Sequence, residues 1–186
     1  MNDVRKELAF AGEPGTMVAP IVPDVDDDLL PQATSATARP KVLAVASRGG
    51  HWIQLLRLRE ALEGAEVVFV TTMSDYRQMV NHDRLRLVIE ANRDRKFRLV
   101  LLALQMLWIL LVERPDVVMT TGAAPGYFAV RLGKWLGMRT LWIDSIANAE
   151  ELSLSGRLAS RHAGAVLTQW SHLAQPGVAD FKGAVV

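Results

Sequence analysis

The sequence contains no cysteine. Disulfides, thiolate metal sites and cysteine nucleophiles are therefore excluded. Its N-terminus has no positive-then-apolar pattern, so no signal peptide is expected. No stretch reaches the roughly 20 apolar residues of a membrane-spanning helix. The dinucleotide fingerprint G-x-G-x-x-G is missing, and the second strand-like run ends in Thr71-Thr72 rather than in an acid that would hold a ribose. His82, His162 and His172 stand at no metal-ligand spacing, so no metal site is expected. Net charge is small as well, +1 over 186 residues. Residues 1–40 hold three basic and seven acidic residues, and the remainder 18 and 13. The mildly basic remainder suits phosphorylated ligands or an anionic membrane surface, but is too weak to point to nucleic acid.

Half of the residues are hydrophobic, enough for one core. Residues 1–40 carry Pro14, Pro20, Pro23, Pro31 and Pro40 with an acidic run from Asp24 to Asp28. Such a composition buries too little to offset ordering and reads as a disordered tail. The domain is expected over 41–186. Its strands are expected at Val42–Ala46, Glu66–Thr71, Leu85–Ile89, Asp116–Thr120, Thr140–Ile143 and Ala165–Thr168. Helices are expected at His51–Leu62, Asp75–Val80, Phe97–Val112, Pro125–Leu136 and Ser155–Arg161. This alternation predicts an α/β, Rossmann-like parallel sheet with helices on both faces, binding ligands beyond the strand carboxyl ends.

Three residue clusters fall at that edge. In the first, Ser47-Arg48-Gly49-Gly50-His51, two glycines between a strand and a helix let backbone approach a phosphate at a helix N-terminus. A plain tight turn would read the same way. His51 suits an anion contact first and a general base second. The second cluster runs from Thr120 to Gly126 and includes Thr121, Gly122, Ala123 and Gly126. It serves either close helix–strand packing or a ligand cleft. The third places Asp144, Ser145 and Asn148 after the fifth strand. These residues could bind sugar hydroxyls, with Asp144 as a base, or cap the following turn.

Together with Arg114 to Gly122, Trp142 to Asn148, Leu152 to Gly156 and Gln169-Trp170, the clusters resemble the Alg-fourteen-like oligosaccharide biosynthesis proteins. The likeness is to the bacterial exopolysaccharide members of PssD type and covers residues 41–186. It implies the N-terminal, acceptor-side half of a GT-B glycosyltransferase, related to the enzyme that adds N-acetylglucosamine to the peptidoglycan lipid intermediate. In that resemblance Ser47, Gly49, Gly50 and His51 face the diphosphate of a polyprenyl-linked sugar. His51 and Asp144 are the catalytic candidates, and Thr121, Gly122, Ala123, Gly126, Ser145 and Asn148 line the cleft. The UDP-sugar donor would sit on a separate subunit equivalent to the GT-B C-terminal half. The implied reaction is metal-free, cofactor-free inverting transfer of glucuronic acid from UDP-glucuronate. A GT-B enzyme needs two Rossmann-like domains, and 41–186 supplies one, so a partner is expected. A non-catalytic membrane adaptor that activates the partner is the alternative, with the apolar C-terminus as a candidate interface. Eukaryotic members carry a membrane anchor where this chain has a polar tail.

The run from Phe97 to Val112 reads as a buried crossover helix or as an interfacial one. Arg93, Arg95, Lys96 and Arg98 crowd its start, as suits docking on anionic lipid at the cytoplasmic face of the inner membrane.

Overall fold

In the computed structural model, residues 39–80, 83–92 and 95–185 are described. The tail expected over 1–40 thus lies, but for its last two residues, outside the described residues, as do His82 and Arg93. The strands are β1 (Lys41–Val45), β2 (Glu66–Thr71), β3 (Arg84–Leu87), β4 (Val117–Thr120), β5 (Arg139–Ile143), β6 (Ala165–Thr168) and β7 (Asp180–Phe181). The helices are α1 (Gly50–Arg57), α2 (Lys96–Glu113), α3 (Ala123–Trp135) and α4 (Leu154–Ala159). The strands form one parallel sheet in the order β3-β2-β1-β4-β5-β6-β7. The strand order reverses between β1 and β4, and in open α/β sheets such a switch point opens a crevice at the carboxyl edge. Val45 pairs with both Val70 and Thr120, and Thr120 with Trp142, so β1, β2, β4 and β5 end level with one another.

Alternation along β1 divides the core. Leu43 and Val45 point to a layer holding Leu102, Met106, Ile109 and Leu110 of α2 and Ala129 of α3. Val42 and Ala44 point to the opposite layer, with Trp52 and Leu55 of α1. The predicted two-faced α/β architecture is therefore what the chain adopts.

Several boundaries differ from expectation. The first helix stops at Arg57 rather than Leu62. Leu58 donates to Leu55, Ala61 to Leu58 and Glu63 to Glu60, which tightens the chain into a 3-10 turn over Arg59–Leu62 that steers it toward β2. The segment expected as a helix from Asp75 to Val80 is a 3-10 turn over Ser74–Met79. β7 is two exposed residues, too short to leave a periodic signal.

α2 runs one residue beyond expectation at each end. Arg114 closes it with a left-handed backbone (φ 47), and Pro115 prevents its continuation. One face is buried, each full-sized side chain contributing roughly 1.5–3 kcal/mol. Gln105, the polar break in its apolar run, accepts the Ile89 amide at 2.9 Å. The outer face is apolar too: Phe97, Val100, Leu104, Trp108 and Leu111 recur at helical spacing, and each is more than half exposed. Among the described residues, no helix is long and apolar enough to cross a membrane.

The amino edge of the sheet is closed by charge. Glu113 ends α2 with its side chain 2% exposed and bridges Lys41 at 2.8 Å, Arg84 at 3.3 Å and Arg86. Burial pushes its carboxyl up, but hydrogen bonds from Lys41 and Arg86, with their charges, outweigh burial and hold it below the usual value.

Candidate functional site at the carboxyl edge

The glycine loop leaves β1 and turns at Gly49, whose φ of 70 falls where a side chain would be strained. Its amide donates to the Tyr76 hydroxyl at 3.0 Å, and its carbonyl accepts the Trp52 and Ile53 amides, starting α1. Tyr76 is itself stacked on Trp52, with ring centroids 4.8 Å apart, so the loop rests on an aromatic pair. Space above Gly49 and Gly50 is open, for a Cβ added at either would meet nothing within 4 Å. The helix start therefore presents backbone N–H groups to an accessible surface. The Ser47 carbonyl accepts the Thr71 hydroxyl at 3.2 Å, joining the loop to the end of β2.

His51 is fixed across the switch point. Its Nδ1 lies 2.8 Å from the Thr121 carbonyl, while the Thr121 hydroxyl donates back to the His51 carbonyl at 2.7 Å. A carbonyl only accepts, so Nδ1 carries the proton and Nε2 is left with a lone pair in the neutral ring. The imidazole lies over Gly122, where an added Cβ would stand 2.8 Å from Cε1. Gly122 (φ 130) thus makes room for the ring, and Ala123 follows with φ 64, an uncommon backbone for a residue with a side chain.

Two expected cleft residues have other roles. Gly126 faces β4: a Cβ there would fall 2.0 Å from Thr120 Oγ1. It is a packing glycine that lets α3 lie close on the strand. Thr121 is fully buried with its hydroxyl engaged by His51, so it orients the histidine instead of facing a ligand.

The third cluster is built inward. Asp144 is 2% exposed. Its Oδ1 accepts from the Ser153 hydroxyl at 2.6 Å and the Trp142 indole at 3.2 Å, and its Oδ2 from the Ser153 amide at 2.7 Å. Ser153 in turn caps α4 by accepting the Gly156 amide. With both oxygens engaged and water excluded, Asp144 is unsuited to be a base, and the capping side of its two readings is the one its geometry supports. Ser145 and Asn148 close the adjoining turn, the Asn148 amide donating to the Ser145 carbonyl at 3.0 Å. Both stay partly exposed.

Sequence reasoning did not single out Tyr76 or Gln54. Gln54 donates to the Asp144 carbonyl at 3.2 Å and ties α1 to β5. A glutamine between Trp52 and Leu55 on the buried helix face was the signal available. For Tyr76 there was none, because only the tertiary fold brings it beneath Gly49. Arg95, Lys96 and Arg98 are exposed at the start of α2.

Comparison with known proteins adds the following. The family profile described as "Oligosaccharide biosynthesis protein Alg14 like" matches residues 42–184. No curated protein matches the sequence. Among solved structures, MurG of Acinetobacter baumannii aligns with a TM-score of 0.65 at 15% identity, over 76% of this chain and 45% of its own. UDP-N-acetylglucosamine 2-epimerase from Rickettsia bellii aligns at 0.59 and 15% identity, over 79% of this chain and 45% of its own. A glycosyltransferase from Rickettsia africae ESF-5 aligns at 0.57 and 11% identity, over 78% and 43%. At such identities the likeness is one of fold. The chain spans less than half the length of each of these proteins.

Proposed function

The chain belongs to the Alg14-like oligosaccharide biosynthesis family, and from that premise we propose that it is the acceptor-binding, membrane-associating subunit of a two-component glycosyltransferase. The partner supplies the donor site, equivalent to the C-terminal half of a GT-B enzyme. Together the pair transfers a sugar, glucuronic acid from UDP-glucuronate, to a polyprenyl-diphosphate-linked saccharide in exopolysaccharide synthesis. The observation that carries this reading is His51. Its Nδ1–H is held by the Thr121 carbonyl, leaving Nε2 for chemistry beside an open glycine loop.

The reaction follows from those atoms. Nε2 takes the proton of the acceptor hydroxyl as its oxygen attacks the anomeric carbon of the donor. The bond from that carbon to the UDP oxygen breaks with inversion, and UDP leaves with the electron pair. The Thr121 carbonyl stabilises the imidazolium that forms. The open start of α1 at Gly50 and His51 holds the acceptor diphosphate, and Ser145 and Asn148 stand where the sugar passes. The folded domain is taken to begin at residue 41, after a tail.

The exposed face of α2, with Arg95, Lys96 and Arg98 at its start, supports peripheral docking on the cytoplasmic face of the inner membrane. Each basic residue adds about 1 kcal/mol on an anionic surface. Replacing the three by glutamate is expected to release the chain from phosphatidylglycerol vesicles, and unchanged partitioning would refute this part of the proposal. The transfer itself is tested by assaying the co-expressed pair with a panel of UDP-sugars and a glucosyl-diphosphate lipid. Transfer from UDP-glucuronate supports the reading, and inactivity with every donor contradicts it.

The buried state of Asp144 favours a second reading, in which the chain is an adaptor that presents the acceptor and the partner does all the chemistry. Full activity of a pair carrying His51→Gln would select it.

A further inference from the structure

Between the glycine loop and the first turn of α2 lies a cavity of about 250 Å³ lined by Arg48, Glu90, Asn92, Arg95 and Arg98. Arg48 precedes Gly49 directly. Its guanidinium pairs with the Glu90 carboxylate at 3.0 Å, and both side chains are more than half exposed. Arg98 donates to the Glu90 carbonyl at 3.4 Å from the opposite wall. The lining thus holds three guanidinium groups and one carboxylate, an excess of two positive charges among the lining residues. A diphosphate bearing an ester at each end carries two negative charges. Guanidinium forks suit phosphate oxygens, and a lone glutamate is a weaker partner that a phosphate can displace.

The cavity's position gives it an order. On one side is the loop that leads to His51, and on the other is Phe97, which begins the exposed apolar face of α2. We infer that this cavity is the subsite for the lipid-side phosphate of a lipid-linked diphosphate, with Glu90 holding Arg48 until that phosphate takes its place. The sugar-side phosphate then lies on the Gly50 amide at the start of α1, the sugar beside His51 and the lipid chain along α2. This rests on the reading of the chain as the acceptor-binding subunit.

The test uses the full chain, titrated calorimetrically with sodium pyrophosphate and with sodium orthophosphate. The wild type is expected to prefer pyrophosphate. Arg48→Ala should weaken pyrophosphate binding about 10-fold, the loss of one charge-assisted contact, and leave orthophosphate binding unchanged. Glu90→Gln should strengthen pyrophosphate binding by freeing Arg48. Flotation with phosphatidylglycerol vesicles separates the two sources of phosphate and should be unaltered in both variants. The inference is overturned if the wild type does not bind pyrophosphate, or if Arg48→Ala keeps the pyrophosphate preference. It is equally overturned if the variants change vesicle partitioning in place of pyrophosphate affinity. These failures leave the transfer reaction of the pair standing. An inactive pair whose pyrophosphate binding still depends on Arg48 would instead sink the transferase reading alone.

Discussion

The two edges of the sheet each bury one carboxylate and neutralise it by opposite means. At the amino edge Glu113 is met by three cations, Lys41 of β1 and Arg84 and Arg86 of β3. At the carboxyl edge Asp144 is met by dipoles: a serine hydroxyl, a backbone amide and an indole N–H. Charge-on-charge pairing commits the cations at the amino edge to Glu113. Dipolar pairing turns Asp144 inward and shapes the β5–α4 turn without drawing on a cation. Arg48, paired with Glu90, and Arg98 are exposed at this edge, beside a glycine loop with open space above it. A buried acid is thus common to both edges. Open backbone groups and an oriented imidazole set the carboxyl edge apart, and the proposed function rests on them.

That contrast can be broken from either side. The largest effect is expected from Asp144→Asn, whose NH2 would replace one carboxylate oxygen and meet a Ser153 donor, the amide or the hydroxyl, in a buried site. Thermal or denaturant unfolding should register a loss of about 3 kcal/mol, since hydrogen bonds to charged groups are worth roughly 1.5–3 each. Glu113→Gln should cost about 2 kcal/mol, reduced from the usual loss for a broken buried pair because Arg84 and Arg86 reach solvent. It should also change the acid limb. The folded-state carboxyl titrates below the ordinary 4.5, so its contribution is present above about pH 4.5 and fades as pH falls through the lower folded value. Stability measured from pH 6 down to pH 3 should therefore fall less steeply in the variant than in the wild type. A parallel loss in both would remove Glu113 as the cause. The smallest change is Thr121→Val, which keeps the volume but removes the hydroxyl donated to the His51 carbonyl. It should cost about 1 kcal/mol of stability and lower the kcat of the pair with little change in acceptor KM.

How much of this was legible in the sequence divides along the same line. The strand–helix alternation and the positions of six strands were readable because a parallel sheet buried on both faces writes short runs rich in valine and leucine. The glycine turn into α1 was readable because a strand-to-helix turn of this kind needs glycine. What could not be read was any pairing made across the fold. Nothing near Glu113 in sequence announces Lys41 or Arg86, and nothing near Gly49 announces Tyr76. For Gly126 and Asp144 the sequence allowed two roles, and only the contacts made by β4 and Ser153 separate packing from ligand binding. α2 reads as an apolar run in either a buried or an interfacial helix. The fold buries one face under the sheet and leaves the other in the open.

The central claim is that the carboxyl edge works through His51. It is tested most directly by reconstituting the pair with His51→Gln and measuring kcat alongside acceptor binding. Glutamine can still reach the Thr121 carbonyl but cannot take a proton, so turnover should fall by at least about 100-fold while acceptor affinity holds. Unchanged turnover would contradict the account and make the chain an adaptor. Loss of turnover and acceptor affinity in step would reassign His51 as a phosphate contact.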